Sequence, residues 1–314
     1  MRARLSVVVF LLGSLALATA VLIVLRPDLI RRLVHADSPH DRYAKALEES
    51  GLATTALARD WLAAATAARQ KPTATQAPFA RDVTIDAAKP FAGGFALTLE
   101  RGQRLAVHAT MTDGEPTRVF LDLFAASAPA ASRAIVSAPE DSASFAHEVT
   151  ATGSYVLRVQ PELLRGGRLR VAVNTGPSLA FPVAGGTARS VQSVFGAERD
   201  AGRRRHEGVD IFAPRGTPVL AASSGVVTGV GENTLGGRVV WVLDVSRGLT
   251  QYYAHLQEQA VRPGQFVTAG DTLGTVGNTG NARTTSPHLH FGIYAAGRGA
   301  LDPAPFIRPS VPVD

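Results

Sequence analysis

The sequence predicts a mainly β protein with a helical beginning, on three observations. Residues 79–186 carry short alternating polar and apolar segments between Gly, Asp and Asn turns. Residues 187–314 carry short apolar, β-branched segments spaced by glycines, with no strong helix signals. An uncharged apolar run and then a helix start signal precede both. The expected organisation is an N-terminal membrane helix over 1–26, a short helical stem and linker over 27–78, a middle antiparallel β-sandwich over 79–186 and a C-terminal antiparallel β domain over 187–314.

Leu5 to Leu25 run 21 positions without a charge. A helix of that length rises about 30 Å, the thickness of a bilayer core. Arg2 and Arg4 precede it and favour a cytoplasmic N-terminus, although Arg26, Arg31 and Arg32 follow. A cleaved signal peptide is the rival reading, because Ala18-Thr19-Ala20 resembles a cleavage site. The apolar run continues past that point through Val21–Leu25, so a retained anchor is expected. Ser38-Pro39-His40-Asp41 then sets an N-cap, a proline at the first helical position and an acid in the first turn. Leu47, Leu52, Leu57, Trp61 and Leu62 follow with a break near Gly51, which reads as two short helices over 39–69. Pro72 and Pro78 bracket the linker.

In the middle segment, FALTLERGQRLAVHATM, TRVFLDLFAAS, ATGSYVLRVQ and GGRLRVAVNTG are the strand candidates. LERGQRLAV and GSYVLRV give it a distant resemblance to the β-sandwich modules that accompany secreted bacterial peptidases. His108 and His147 lie here without metal-ligand spacing and read as ordinary strand residues.

Composition excludes several classes. Of 314 residues 46% are hydrophobic and 18% charged, which rules out a disordered chain. The net charge is +6, yet no part of the chain is a basic block interleaved with aromatics, so nucleic acid is not an expected partner. Cysteine is absent, so any metal site must be built from His, Asp or Glu.

Four of the eight histidines fall in 187–314. His206 and Asp210 stand four apart in HEGVD. Gly208 and Val209 disfavour a helix, so a loop entering a strand is expected. Imidazole with carboxylate suits zinc, although such a pair also occurs by chance on surfaces. His288 and His290 stand two apart in PHLHFGI. On a strand they share one side while Leu289, Phe291 and Ile293 point to the other. Two imidazoles on one face of an apolar strand are costly to bury without partners, which points to a metal or catalytic role. His255, in QYYAHL, is a lone histidine, and Tyr253 shares its face if the strand alternates strictly.

In order, HEGVDIFAPRGTPVLAASSGVV, YYAHL and GNTGNARTTSPHLHFGIY resemble the lysostaphin/LytM-type zinc peptidases that cut bacterial cell-wall peptides. The resemblance covers about 187–308. It implies one Zn2+ held by His206, Asp210 and His290, and proton and charge work by His255 and His288, with the division between those two left open. It implies a compact antiparallel β fold with an open groove. Two positions depart from the usual form: Thr285-Ser286-Pro287 replaces Ser/Thr-Gly-Pro, and Gly292 stands where an acid frequently follows HLHF. Tyr253 and Arg205 are expected to contact substrate, Arg205 because Arg203–Arg205 run directly into His206 and can hold a carboxylate.

The expected whole is an inner-membrane protein with a periplasmic zinc endopeptidase acting on peptidoglycan cross-links. The alternatives are a wall-peptide-binding regulator or amidase activator, and a zinc peptidase acting on Gly-rich protein segments. The sequence names no protein activator.

Overall fold

The computed structural model describes residues 37–129, 132–199 and 201–309. The expected membrane anchor over 1–26 lies outside them. Among the described residues no helix is long and apolar enough to cross a membrane.

Two helices open the described chain, α1 (Pro39–Glu49) and α2 (Ala56–Gln70). The Ser38 hydroxyl accepts from Asp41 N–H and the Thr55 hydroxyl from Ala58 N–H, satisfying donors that the first turns leave open. Gly51, at φ 74°, makes the turn between them. The helices do not stand apart as a free stem. Leu47, Ala58 and Trp61 pack on Phe120, and the Trp61 indole donates to the Pro161 carbonyl at 2.9 Å. His40 stacks on Trp61 at 4.7 Å and meets Gln160 Oε1 at 2.8 Å. Leu47, Trp61 and Leu62 of the apolar stripe that suggested short helices thus form the face that docks them on the sandwich, whereas Leu52 is exposed.

The sandwich is antiparallel, as expected. Its strands are β1 (Phe79–Ile85), β2 (Gly93–Leu99), β3 (Gln103–Gly114), β4 (Val119–Ala125), β5 (Ser144–Glu148), β6 (Gly153–Pro161) and β7 (Gly167–Pro177). One sheet has the order β1-β7-β3-β5. The other has β2-β6-β4, widened at its edges by Thr73–Ala74, which joins β2 in parallel, and by Val136–Ser137. Alternation places Leu97, Leu99, Leu121, Leu123 and Leu157 from one sheet and Leu105, Val107, Leu169 and Val171 from the other in a single buried cluster.

The chain enters the C-terminal core earlier than the expected boundary at 187. Leu179 and Val183 are already buried in that core, and Leu179 N–H donates to the Phe306 carbonyl. Gly185 and Gly186 precede that expected boundary, and the apolar residues before them decide where the segment packs.

The C-terminal sheet contains β8 (Val191–Ser193), a small hairpin of β9 (Glu198–Arg199) and β10 (Arg204–Arg205) beside it, then β11 (Val209–Phe212), β12 (Gly225–Asn233), β13 (Gly237–Asp244), β14 (Leu249–Gln259), β15 (Thr272–Val276) and β16 (His288–Ala295). The main order is β8-β11-β16-β14-β13-β12, and β15 pairs with the far end of β14. Ile211, Leu289, Phe291, Ile293, Leu256 and Val240 point to one face and are fully buried. The opposite face of β11, β16, β14 and β13 stays open as a groove.

Candidate active site

Asp210 and His290 sit opposite each other on neighbouring strands, as do Phe212 and His288. Period-two alternation makes this possible: Val209 and Ile211, like Leu289 and Phe291, go into the core and leave the polar residues on the groove side. His206 comes from the turn before β11. Gly208 lets that turn approach, since a Cβ there would lie 2.5 Å from the Phe291 carbonyl oxygen and 2.8 Å from the His290 ring.

Three donor atoms meet. His206 Nε2 lies 3.0 Å from Asp210 Oδ1 and 2.9 Å from His290 Nδ1, and His290 Nδ1 lies 3.1 Å from Asp210 Oδ1. Tetrahedral zinc with N and O donors at its usual bond lengths sets donors about 3.3 Å apart, so this triangle fits zinc with little movement. Two imidazoles and a carboxylate are also a donor set of zinc hydrolases. Among the described residues, these three form the group of His, Asp and Glu side chains close enough to hold an ion. A three-donor set leaves a fourth position for water or substrate. His206 Nδ1–H donates to the Val194 carbonyl at 2.9 Å, which fixes the ring and turns Nε2 inward. Burial alone raises the Asp210 carboxyl, but hydrogen bonds and charge from His206 and His290 hold it well below the usual carboxylate range.

The other two histidines stand beside the triangle. His288 Nδ1–H donates to the Ser286 carbonyl at 2.8 Å, and its Nε2 is 4.0 Å from Asp210 Oδ1. The partner at position 286 is a backbone carbonyl, so serine in place of glycine there leaves this contact intact. His255 Nδ1–H donates to the Thr279 carbonyl at 2.9 Å, and its ring lies 5.0 Å from His288 and 6.0 Å from His290. Burial, then the neighbouring charges of His288 and His290, push the His255 imidazole down to about 4. It is neutral near pH 7, with Nε2 unprotonated.

His255 reaches the groove through a backbone irregularity. β13 and β14 pair with Val240 opposite Tyr253 and Arg238 opposite Leu256, so β14 carries one extra residue between them. His255 takes φ 63° there. Tyr252, Ala254 and His255 therefore all line the groove, while Tyr253 and Leu256 enter the core.

That corrects the expected role of Tyr253. It is fully buried, donates to Gln251 Oε1 at 2.6 Å and accepts from Ala222 N–H at 2.9 Å. Strict alternation would have put it beside His255, and the bulge breaks the alternation. Arg205 is also corrected. Glu198 pairs with Arg205 and Arg199 with Arg204 across the hairpin, so one pair faces the groove and the other faces away. Arg199 and Arg204 line the groove, whereas Arg205 is exposed and lies 3.4 Å from Glu198.

Arg199 is a residue the sequence did not single out. Its Nη2 donates to Asp210 Oδ2 at 2.8 Å and to Ser193 Oγ at 2.5 Å. The signal was a solitary arginine near a run of three. Only the hairpin between Arg199 and Arg204, which includes Gly202 at φ 85°, brings it to the carboxylate. Trp241, Tyr252 and Tyr294 were equally hidden among strand aromatics. The groove holds about 710 Å³, and every described residue lining it lies within 193–294. The sandwich contributes none of them.

Residues 204–303 match the family model described as Peptidase family M23. The L-Ala–D-Glu endopeptidase of Bacillus subtilis (strain 168) is 39% identical over 140 residues, spanning 41% of this chain and 43% of that protein. Peptidoglycan DD-endopeptidase ShyC of Vibrio cholerae is 42% identical over 88 residues, 28% of this chain and 20% of that one. Among solved structures, the catalytic domain of the antimicrobial peptidase lysostaphin from Staphylococcus simulans matches 36% of this chain and 87% of that chain, with 35% identity and a TM-score of 0.33. The chain thus spans less than half the length of these curated relatives. The ordered histidines and aspartate, their convergence on one groove and the matched span agree: residues 204–303 are a domain of Peptidase family M23.

Proposed function

We propose that this chain is a zinc metalloendopeptidase that hydrolyses peptide cross-links of bacterial peptidoglycan. The observation that carries the reading is the triangle of His206 Nε2, Asp210 Oδ1 and His290 Nδ1, with edges of 2.9 to 3.1 Å, at the base of an open groove. A relative named as a peptidoglycan DD-endopeptidase and another named as an L-Ala–D-Glu endopeptidase support the substrate.

Zinc held by those three atoms supplies Lewis acidity toward a carbonyl and lowers the pKa of a water. The chain's own residues supply the proton path. His288 and His255 each commit Nδ1–H to a backbone carbonyl, so each presents Nε2 as a proton acceptor when neutral. His288 Nε2 is near the donor triangle and takes the proton of the attacking water. His255, whose ring lies 5.0 Å from His288, receives that same proton on Nε2, stabilises the developing charge as the imidazolium and passes the proton on to the leaving amine. Their order is reversible in principle, and single variants with matched pH profiles distinguish the two.

The uncharged run Leu5–Leu25 supports an inner-membrane anchor with the catalytic domain in the periplasm. Fractionation of the full chain, with alkaline extraction of membranes, tests this part.

Digestion of purified sacculi by residues 27–314, with and without a chelator, tests the activity. Soluble peptide-linked fragments that disappear with chelator and return with Zn2+ are the expected result. No release under any metal condition, or release unaffected by Asp210→Ala, overturns it. The non-catalytic regulator is disfavoured because all five residues of the expected site are present and converge.

A further inference from the structure

One wall of the groove is aromatic, and the endopeptidase reading does not account for it. Trp241 on β13 and Tyr252 on β14 are cross-strand partners with rings 4.1 Å apart. Tyr294 on β16 lies 5.6 Å from Trp241 and 6.4 Å from Tyr252. Tyr252 is opposite Gly292. A Cβ at 292 would stand 3.1 Å from the Tyr294 ring, so the missing side chain gives the tyrosines their space. The three rings form their own cluster with Val239 and Ala254, outside the main core, and all three line the groove. The Tyr294 hydroxyl donates to Glu207 Oε2 at 3.2 Å, which puts an exposed carboxylate at the shelf's edge.

We propose that this shelf is a sugar subsite, which seats a neutral pyranose ring of the wall glycan carrying the peptide to be cut. The proposal rests on the endopeptidase reading and narrows its substrate. Wall stem peptides consist of small, carboxylated and amine-bearing residues, none of which presents a broad apolar face. A pyranose ring does, on the side where its C–H bonds align, and its hydroxyls donate to a carboxylate such as Glu207. Aromatic residues with polar tips match such a half-apolar ligand. Charge is compatible with the same class: Arg204 and Glu207 line the groove with opposite signs, and the Arg199 guanidinium is already paired with Asp210, so no single charge dominates for a neutral ring to oppose.

Distance places the sugar. Tyr252 lies 5.9 Å from the His290 ring, 4.1 Å from Trp241 and 6.4 Å from Tyr294, so every ring of the shelf lies within about 12 Å of the His290 ring. An extended peptide advances about 3.4 Å per residue. The cut bond is therefore within about four residues of the sugar.

Two measurements test this. Tryptophan fluorescence of the full chain is followed during titration with peptide-free glycan strands. Trp61 is buried, so Trp241 reports. Saturable change is expected, with Kd at least tenfold higher in Tyr294→Ala and severalfold higher in Glu207→Gln, which preserves shape. No fluorescence change, or a Kd in both variants equal to that of the unsubstituted chain, overturns the proposal. Second, kcat/KM is compared for stem peptides with and without their sugar. A preference of tenfold or more for the sugar-bearing form is expected, with the ratio falling toward one in Trp241→Leu. Equal kcat/KM on the two substrates sinks the shelf and leaves the endopeptidase standing. Glycan binding without hydrolysis of either substrate supports the shelf and sinks the endopeptidase.

Discussion

The guanidinium of Arg199 donates to Asp210 Oδ2 at 2.8 Å, while Asp210 Oδ1 faces His206 and His290. One carboxylate is thus divided, with one oxygen held by the chain and the other left for a metal. Partners behind metal ligands typically contribute 10–100-fold in metal affinity. Arg199→Ala is therefore expected to weaken zinc binding by roughly that factor, read by chelator competition, with partial recovery in Arg199→Lys. Unchanged affinity in Arg199→Ala would show that the contact does not orient Asp210.

The five site residues separate into two classes. His206→Ala and Asp210→Ala are expected to lose bound zinc and hydrolysis together. His288→Ala is expected to keep zinc near one per chain and lose turnover by about 10²–10⁴-fold, the range for a general base. Zinc content by atomic absorption and hydrolysis rate on the same samples decide between them. Full zinc and full activity in either ligand variant would overturn the assignment.

Gly208→Ala adds a methyl 2.5 Å from the Phe291 carbonyl oxygen and 2.8 Å from His290. Backbone on one side and a site ring on the other leave little room to yield. Destabilisation of about 1–3 kcal/mol is expected from overpacking, along with reduced zinc content. Denaturant melts and metal analysis check both, and a variant with unaltered zinc content would contradict the close approach.

Tyr253→Phe separates a core role from a substrate role. The hydroxyl bonds Gln251 and Ala222 within the core. Its removal is expected to cost about 1–3 kcal/mol, the range for leaving buried polar groups unpaired. KM measured well below the variant's melting temperature should stay within about twofold. A large rise in KM at wild-type stability would restore the substrate role.

Asp244 gives a pH signature. Its buried carboxyl accepts from Ser223 and Ser246 and pairs with Arg247 at 2.7 Å. Burial raises it, but these hydrogen bonds and the Arg247 charge bring it below its ordinary value. A depressed folded pKa adds stability above the unfolded value of about 3.9 and loses it as pH falls through the folded value. Asp244→Asn is thus expected to lower stability at pH 7 by about 1–3 kcal/mol. The gap should narrow below about pH 4. Denaturant melts across pH 3–7 test this, and a gap that does not vary with pH refutes it.

Much of this was legible in the sequence. Alternation around His288 and His290 placed them on one strand face, and Gly208 marked the turn that brings His206 to them. The sandwich was readable because its two inner faces alternate plainly. Tyr253 was not, because a bulge is one additional residue and leaves no mark on hydrophobic periodicity. Arg199 was hidden for another reason: a hairpin turn supplies its contact with Asp210, and three adjacent arginines resembled the more conspicuous signal. The docking of α1 and α2 was missed because an amphipathic stripe shows that a helix is covered, not by what.

The left-handed backbone at His255 also makes this strand intolerant of changes in length. Deleting Ala254 would restore plain pairing with β13 and leave the imidazole between Tyr253 and Leu256 on ordinary extended backbone, without the bulge that sets its approach to His288. A single-codon deletion there could leave every histidine in the gene and still dismantle the proton path. An inventory of residues would miss that loss, whereas counting spacings would reveal it.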